Sequence, residues 1–146
     1  MIALWSGSGV TLKKCLQVLQ NKAVQIVTRK DWTTSSKLML HQCGWLSVNQ
    51  LAFYHSVLLE FRVRLSKSPK YLYRMHNSWS YPYPTRQADN GLIRVLARPR
   101  LEIVRNSFRY RAANFFNQLP PEIRGCTTLE SFKKILKPWI MDNIPL

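Results

Sequence analysis

Apolar residues recur at alternating steps of four and three in several stretches of the chain, the spacing of one face of an α-helix. The first stretch runs from Leu12 to Arg29, and another, which Ser47 can cap, runs from Val48 to Leu65. A short helix over 37–42 is expected between them and should stop at Gly44, a residue suited to the left-handed conformation after a helix. The first stripe consists of Leu12, Leu16, Leu19, Ala23 and Ile26, and the second of Leu51, Tyr54, Leu58, Phe61 and Leu65.

Two more helical stretches follow in the C-terminal part of the chain. Ser107 is a candidate N-cap for a helix that runs to about Gln118. Thr127 and Glu130 have the spacing of a capping box, which indicates the start of a last helix. Pro138 is expected to end or kink that helix, because proline lacks the backbone N–H that continues it.

The helical pattern fades between residues 66 and 106, where four prolines interrupt the chain. Leu92–Leu96 and Leu101–Val104 are candidate strands of a short β-hairpin within this segment. The sequence therefore predicts a mainly α fold of four or five amphipathic helices. We expect one domain over 1–146, helical over 11–65 and 107–140, with an irregular, basic, Pro- and aromatic-rich segment over 66–106.

The chain of 146 residues carries 22 Lys and Arg against 7 Asp and Glu, a formal net charge of +15. With 46% hydrophobic residues it has enough apolar material for a core, so wholesale disorder is not expected. A surface this basic favours a large anion as partner, and nucleic acid is the commonest one. The N-terminal residues do not form a signal peptide, and the uncharged run over 38–59 is too polar for a membrane span. We expect an intracellular protein of the nucleus or cytoplasm, neither secreted nor membrane-bound.

No constellation typical of catalysis stands out in the sequence. No two of the seven acidic residues are closer than eight positions, and no aspartate pair of the polymerase kind is present. The three histidines and three cysteines fit no metal-binding spacing, and the glycines form no phosphate loop. The sequence thus predicts no catalytic residue, no metal site and no cofactor.

Basic and aromatic residues alternate between Phe61 and Arg111, a mixture that suits RNA, because guanidinium groups bind phosphates and aromatic faces stack on bases. The simpler interpretation is a solvated basic surface above core aromatic residues. We favour nucleic-acid contact for the segment. The candidate contact residues are Arg62, Arg64, Lys67, Lys70, Arg74, Trp79, Tyr81, Arg86, Arg94, Arg98, Arg100, Arg105, Arg109 and Arg111.

The order of several motifs resembles the C-terminal region of non-LTR (LINE-like, jockey-type) retrotransposon reverse transcriptases. Leu16–Val27 reads LQVLQNKAVQIV and is similar to that family's LQ-x-LQN-x-A helix, and Trp45–Gln50 is similar to the start of the next helix. The strongest block is Ser107–Pro120, SFRYRAANFFNQLP, which resembles SF-x-YRG/A-x-x-x-WN-x-LP. Thr128–Lys137, TLESFKKILK, resembles the family's following S-x-x-x-F-K-x-x-L-K. The resemblance extends over nearly the whole chain.

The resemblance implies a C-terminal nucleic-acid-binding fragment of an RNA-directed DNA polymerase. In the family, the catalytic aspartates lie in an upstream palm domain, so we expect no polymerase activity from this chain alone. RNA or DNA and the missing polymerase domains are the expected partners. The alternative is a retroelement remnant, or a domesticated protein–protein interaction module without a nucleic-acid role, whose hydrophobic stripes would be left unpartnered or bind another protein.

Overall fold

The structure of the chain is a computed structural model, and it describes residues 7, 9–31, 33–77, 92–93, 95 and 99–145. Helices hold 73% of these residues, and none of them lies in a β-strand. The predicted mainly α fold is therefore confirmed. The helices of the described ranges are α1 (Val10–Thr28), α2 (Ser36–Gln42), α3 (Val48–Ser66), α4 (Lys70–Asn77), α5 (Glu102–Asn106), α6 (Phe108–Asn117), α7 (Pro121–Arg124) and α8 (Leu129–Asn143).

Helix α3 is the central element, since α1, α4, α6 and α8 all contact it. Its side chains are buried on several sides, including Val57 and Val63, which are fully buried. The stripe expected to lie on one face does not mark the buried side: Phe61 is buried, whereas Leu65 is 52% exposed. A helix surrounded by neighbours buries residues outside any single stripe, so periodicity alone does not locate its core positions.

Aromatic side chains join α3 to the C-terminal helices. The rings of Phe61 in α3 and Phe132 in α8 are stacked, with centroids 4.0 Å apart and planes 6° from parallel. Phe53 and Phe115 make a second contact, at 4.7 Å, between α3 and α6. The buried core around these rings consists of Leu46, Phe53, Val57, Phe61, Ile93, Ala113, Phe116, Leu119, Ile123, Phe132, Leu136 and Ile140.

The start of α3 is closed by a capping box. Ser47 Oγ accepts a hydrogen bond from the Gln50 backbone N–H, and the Ser47 N–H donates to Gln50 Oε1 at 2.9 Å. Gln50 is buried, and its amide also donates to the Ile144 carbonyl at 2.8 Å, just after α8. The N-cap predicted at Ser47 is confirmed, and one amide ties the start of the central helix to the end of the chain.

Helix α1 turns its amide side chains, rather than its predicted apolar stripe, toward α3. Gln17 Oε1 accepts from the Val48 N–H at 2.9 Å, and the Gln20 amide donates to the Leu46 carbonyl at 2.7 Å. Val24 lies on this inner side and packs with Met39 and Leu40 of α2 in a separate small cluster.

The outer side of α1 carries the stripe. Leu12, Leu19 and Ile26 are 61, 62 and 77% exposed, and Leu16 and Ala23 are exposed as well. The sequence correctly predicted that these residues share one face of α1, but in the described chain that face is exposed to solvent. Hydrogen bonds to α3 decide which side of α1 points inward.

The segment over 66–106 was expected to be irregular, and at two stretches this expectation is wrong, because α4 and α5 lie there. The predicted strand Leu101–Val104 is wrong too, since Glu102–Asn106 is helical. An acidic residue in the first turn favours the helix, and Ser107 Oγ donates to the Val104 carbonyl at its end. A strand preference from Ile103 and Val104 does not outweigh these local bonds.

The other predicted strand, Leu92–Leu96, lies only partly within the described residues. There the backbone of Ile93 pairs with a side chain: its N–H donates to Asn117 Oδ1 at 2.8 Å, and the Asn117 amide donates to its carbonyl at 2.7 Å. This two-way bond fixes Ile93 in the core beside α6.

The caps of the remaining helices agree with the sequence in most respects. Gly44 follows α2 with φ of +63°, and Ser107 caps α6 by accepting from the Tyr110 N–H, both as predicted. The cap of α8 is Thr128 rather than Thr127, and it accepts from the Ser131 N–H.

Helix α8 does not end near Pro138 but continues to Asn143. Pro138 has no N–H to donate to the carbonyl four residues earlier in the helix. Because Pro138 is exposed, water can bind that carbonyl instead.

Gln50→Ala should destabilise the fold by about 2–3 kcal/mol, because the Ser47 N–H and the Ile144 carbonyl both lose a buried partner. Urea unfolding measures the effect. The control is Asn49→Ala, an exposed amide in the same turn, which should change stability by about 0.5 kcal/mol or less. Equal losses in the two variants would contradict a linking role for Gln50.

Phe132→Ala should cost about 3–5 kcal/mol in the same measurement, since it removes a fully buried ring stacked on Phe61. Ile135→Ala lies one turn further along α8 at a largely exposed position and should cost below about 1 kcal/mol. A Phe132 variant as stable as the Ile135 variant would show that this stack is not part of the core.

Candidate nucleic-acid interface

Nine of the fourteen candidate contact residues lie within the described part of the chain. The other five, Trp79, Tyr81, Arg86, Arg94 and Arg98, lie outside the described residues. The nine fall into three groups according to the elements that carry them, and the groups differ in exposure.

The first group lies where α3 ends and α4 begins. Its members are all exposed, and we refer to them as the basic end: Arg62, Arg64, Lys67, Lys70 and Arg74. The sequence from residue 61 to residue 77 contains no Asp or Glu. Lys67 ends α3 in the left-handed conformation, with φ of 54°, and α4 then packs against α3. These five cations therefore all lie around one end of the central helix, although Arg62 and Arg64 are two residues apart in α3 and point to different sides of it.

Tyr71 adds an aromatic surface to the basic end. It is 65% exposed and lies beside Lys70 on α4, while Lys70 and Arg74 are one helical turn apart and share a face. The sequence analysis did not select Tyr71 as a contact residue. Its position between two basic residues was visible in the sequence, but its exposure was not.

Arg64 is anchored to the fold more firmly than its neighbours. Its guanidinium carbon lies 4.8 Å from the centre of the Phe116 ring, in cation–π geometry. Burial of the guanidinium lowers the pKa of Arg64; the buried carboxylate of Glu60 counters this shift, and the positive charge of Arg124 adds to it. An arginine stays protonated under such shifts, so Arg64 contributes positive charge while its packing supports α6.

The second group is Arg100, two residues before α5, and Arg105 in the last turn of that helix; both are exposed. The Arg105 side chain donates to the Pro99 carbonyl at 2.9 Å and to the Arg100 carbonyl at 3.4 Å. These bonds hold the Arg105 guanidinium against the backbone that leads into α5. Its charge remains available to an anion, but its orientation is set by the chain.

The third group is Arg109 and Arg111 on α6, which are half-buried, and burial lowers the pKa of each. Arg111 shares the lining of a pocket of about 350 Å³ with Lys13 of α1. The pKa of Lys13 is lowered by burial and, second, by the positive charge of Arg111. Two like charges therefore lie close to one another at this pocket.

The backbone also approaches Arg111 closely at Gly7. A Cβ atom at position 7 would lie 2.5 Å from the Asn106 carbonyl oxygen and 3.1 Å from Arg111 Nη1. The first distance is too short for any real contact, so this approach requires glycine. The amides of Asn49 and Gln118 and the rings of Phe53 and Phe115 line the rest of the pocket.

The candidate residues do not form one continuous site. Arg111 adjoins Asn49 near the start of α3, whereas Arg62 lies near its end. Thirteen residues of helix separate these two positions, which corresponds to about 20 Å along the axis. The basic end is therefore separate from the Lys13–Arg111 pocket.

The described residues form neither a metal cluster nor a membrane-spanning helix. Within the described ranges, no three His, Cys, Asp or Glu side chains are grouped so that they could hold a metal ion. Of the helices that the structure describes, none is both long and apolar enough to cross a membrane. The cysteines Cys15, Cys43 and Cys126 are free thiols.

No protein-family model, no curated protein and no solved structure matches this chain. The family resemblance thus rests on the sequence motifs alone and stays a hypothesis.

Lys13→Gln should stabilise the fold slightly, by about 0.3 kcal/mol, because it removes a half-buried charge from beside Arg111. Urea unfolding at low salt measures the gain, which should shrink when salt screens the repulsion. Lys14→Gln removes the same charge from an exposed neighbouring position and should stabilise less. A gain no larger than that of Lys14→Gln would contradict the close approach of the two cations.

Proposed function

We propose that the chain binds single-stranded or structured nucleic acid through the basic end, as the C-terminal part of a non-LTR retrotransposon reverse transcriptase. The observation that carries the proposal is the position of five cationic side chains around the junction of α3 and α4, in a stretch without acidic residues. Arg62, Lys67, Lys70 and Arg74 are exposed, while the guanidinium of Arg64 packs on Phe116. The family assignment comes from the resemblance of the sequence motifs.

The chemistry of the basic end suits a phosphate backbone. Each Lys or Arg that neutralises a phosphate releases a condensed counterion, which drives binding without regard to base sequence. The exposed ring of Tyr71 beside Lys70 and Arg74 offers a surface on which an unpaired base can stack. Cations with an adjacent aromatic ring favour single strands over duplexes, because only unpaired bases expose their faces.

The proposed role is binding and not catalysis. In the parent enzyme, this region would help to hold template RNA or target DNA during target-primed reverse transcription, as the resemblance implies. The polymerase aspartates of the family have no counterpart in this sequence, so the chain alone is proposed to add no nucleotides to a primer.

The salt dependence of RNA binding tests this proposal. Fluorescence anisotropy of a labelled single-stranded RNA should show a slope of log affinity against log salt of about −0.7 for each phosphate contact. The triple variant Lys67→Gln, Lys70→Gln, Arg74→Gln should flatten that slope by about two units. All three side chains are exposed, so the fold should be retained.

The matched control is the triple variant Lys22→Gln, Lys30→Gln, Lys37→Gln. It removes the same charge from three exposed positions: Lys22 on α1, Lys30 just after α1 and Lys37 on α2. These two helices contact each other, and α1 adjoins the start of α3. Its slope should stay close to that of the unchanged protein. Equal flattening by both variants would show that net charge, and not the basic end, determines binding.

Tyr71→Ala separates stacking from charge. It should weaken binding of single-stranded RNA by about 1–3 kcal/mol at every salt concentration and leave the slope unchanged, because stacking is not screened. The control is Ile103→Ala, an exposed apolar residue of α5. A Tyr71 variant that binds as well as the Ile103 variant would exclude the stacking contact.

A protein–protein interaction module is the second candidate function, and the outward apolar side of α1 favours it. No RNA binding even at low salt, with the fold intact, would support this candidate over the first.

A further inference from the structure

The apolar stripe of α1 is a feature of the described surface that the proposed nucleic-acid role does not use. We refer to Leu12, Leu16, Leu19, Ala23 and Ile26 as the α1 stripe; all five are exposed. Val27, also exposed, lies one helical turn after Ala23 and extends the stripe. Contiguous apolar surface of this kind marks an interaction site more often than a solvated surface.

The orientation of α1 is fixed by its inner side. The amides of Gln17 and Gln20 bond to the backbone around the start of α3, and Val24 is fully buried between α1 and α2. Rotating α1 to bury the stripe against α3 would break both hydrogen bonds and expose Val24. The stripe therefore faces outward because the fold requires it.

The spacing of the stripe fits another helix. Its members follow one another at steps of four, three, four and three, which are the d and a positions of a heptad repeat. From Leu12 to Ile26 the seam is about 21 Å long, enough for two heptads of helix–helix packing. An extended strand or a flat surface would not match side chains at this period.

The charge beside the stripe limits the choice of partner. Helix α1 contains Lys13, Lys14 and Lys22 and no acidic residue. Lys22 occupies a g position at the edge of the seam, and Arg29, which ends the helix, follows one heptad later; both are exposed. Residues at e and g positions set partner choice through interhelical ion pairs. A second copy of the chain would bring a net charge of +15 against +15, so a partner of opposite charge is favoured.

We propose that the α1 stripe docks an acidic amphipathic helix of another polypeptide, with apolar residues of that helix on the seam and Asp or Glu beside Lys22. This site is separate from the basic end, because α1 adjoins the start of α3 and the basic end lies at its other end. The docking proposal does not depend on nucleic-acid binding.

The test uses the full chain and a fluorescein-labelled synthetic peptide of three heptads with Leu at a and d and Glu at e and g. The comparison peptide has Lys in place of every Glu. The acidic peptide should bind, and the basic peptide should bind at least about tenfold more weakly, since like charges face each other at the seam.

Variants of the stripe separate docking from charge attraction. Leu12→Gln with Leu19→Gln should weaken binding of the acidic peptide at least about tenfold, and circular dichroism should show an unchanged melting profile because both positions are exposed. The matched control, Leu65→Gln with Ile103→Gln, replaces two exposed apolar residues elsewhere and should bind like the unchanged protein. Lys22→Glu should weaken binding more than Lys37→Glu on α2.

Three outcomes would overturn the proposal. Binding of the acidic peptide that is unaffected by the stripe variant would show nonspecific attraction to the basic surface. Equal binding of acidic and basic peptides would exclude the charge argument. Sedimentation showing a dimer of the chain that the stripe variant dissociates would identify a second copy as the occupant.

The triple variant of the basic end should still bind the acidic peptide, so failure of the nucleic-acid proposal and failure of this one are distinguishable.

Discussion

The hydrogen bonds at the start of α3 are the constraint on which the rest of the structure depends. A buried helix needs partners for its first N–H groups and for the carbonyls that precede it, because water is excluded there. The chain supplies them from two places: Ser47 and Gln50 within the capping box, and Gln17 and Gln20 from α1. The Gln50 side-chain amide in turn donates to the Ile144 carbonyl after α8. These bonds hold the two ends of the chain against its central helix.

The outward position of the α1 stripe is a consequence of the same bonds. A helix has one side that can face its neighbour, and in α1 the amides occupy that side. The polar contacts that complete α3 thus leave an apolar surface on the outside of the molecule.

The two ends of α3 differ in chemistry. The backbone at the start bonds to neutral amides, whereas the last turn carries Arg64 and continues into the rest of the basic end. Cations near a helix C-terminus interact favourably with its dipole, so this end can concentrate positive charge. Packing of Arg64 on Phe116 and its attraction to the buried Glu60 reduce the cost of placing one of these charges against the core. Arg64 therefore contributes both to the packing of the core and to the positive charge at this end of α3.

The sequence by itself determined the helical class, the caps at Ser47 and Ser107 and the left-handed Gly44, because these depend on interactions between residues close in the chain. It also grouped the members of the α1 stripe correctly. Only the tertiary structure decided that this stripe faces outward, that Tyr71 is exposed, and that Arg111 lies apart from the basic end. Periodicity shows which residues share a side of a helix, but what lies against that side is set by hydrogen bonds and packing from distant parts of the chain.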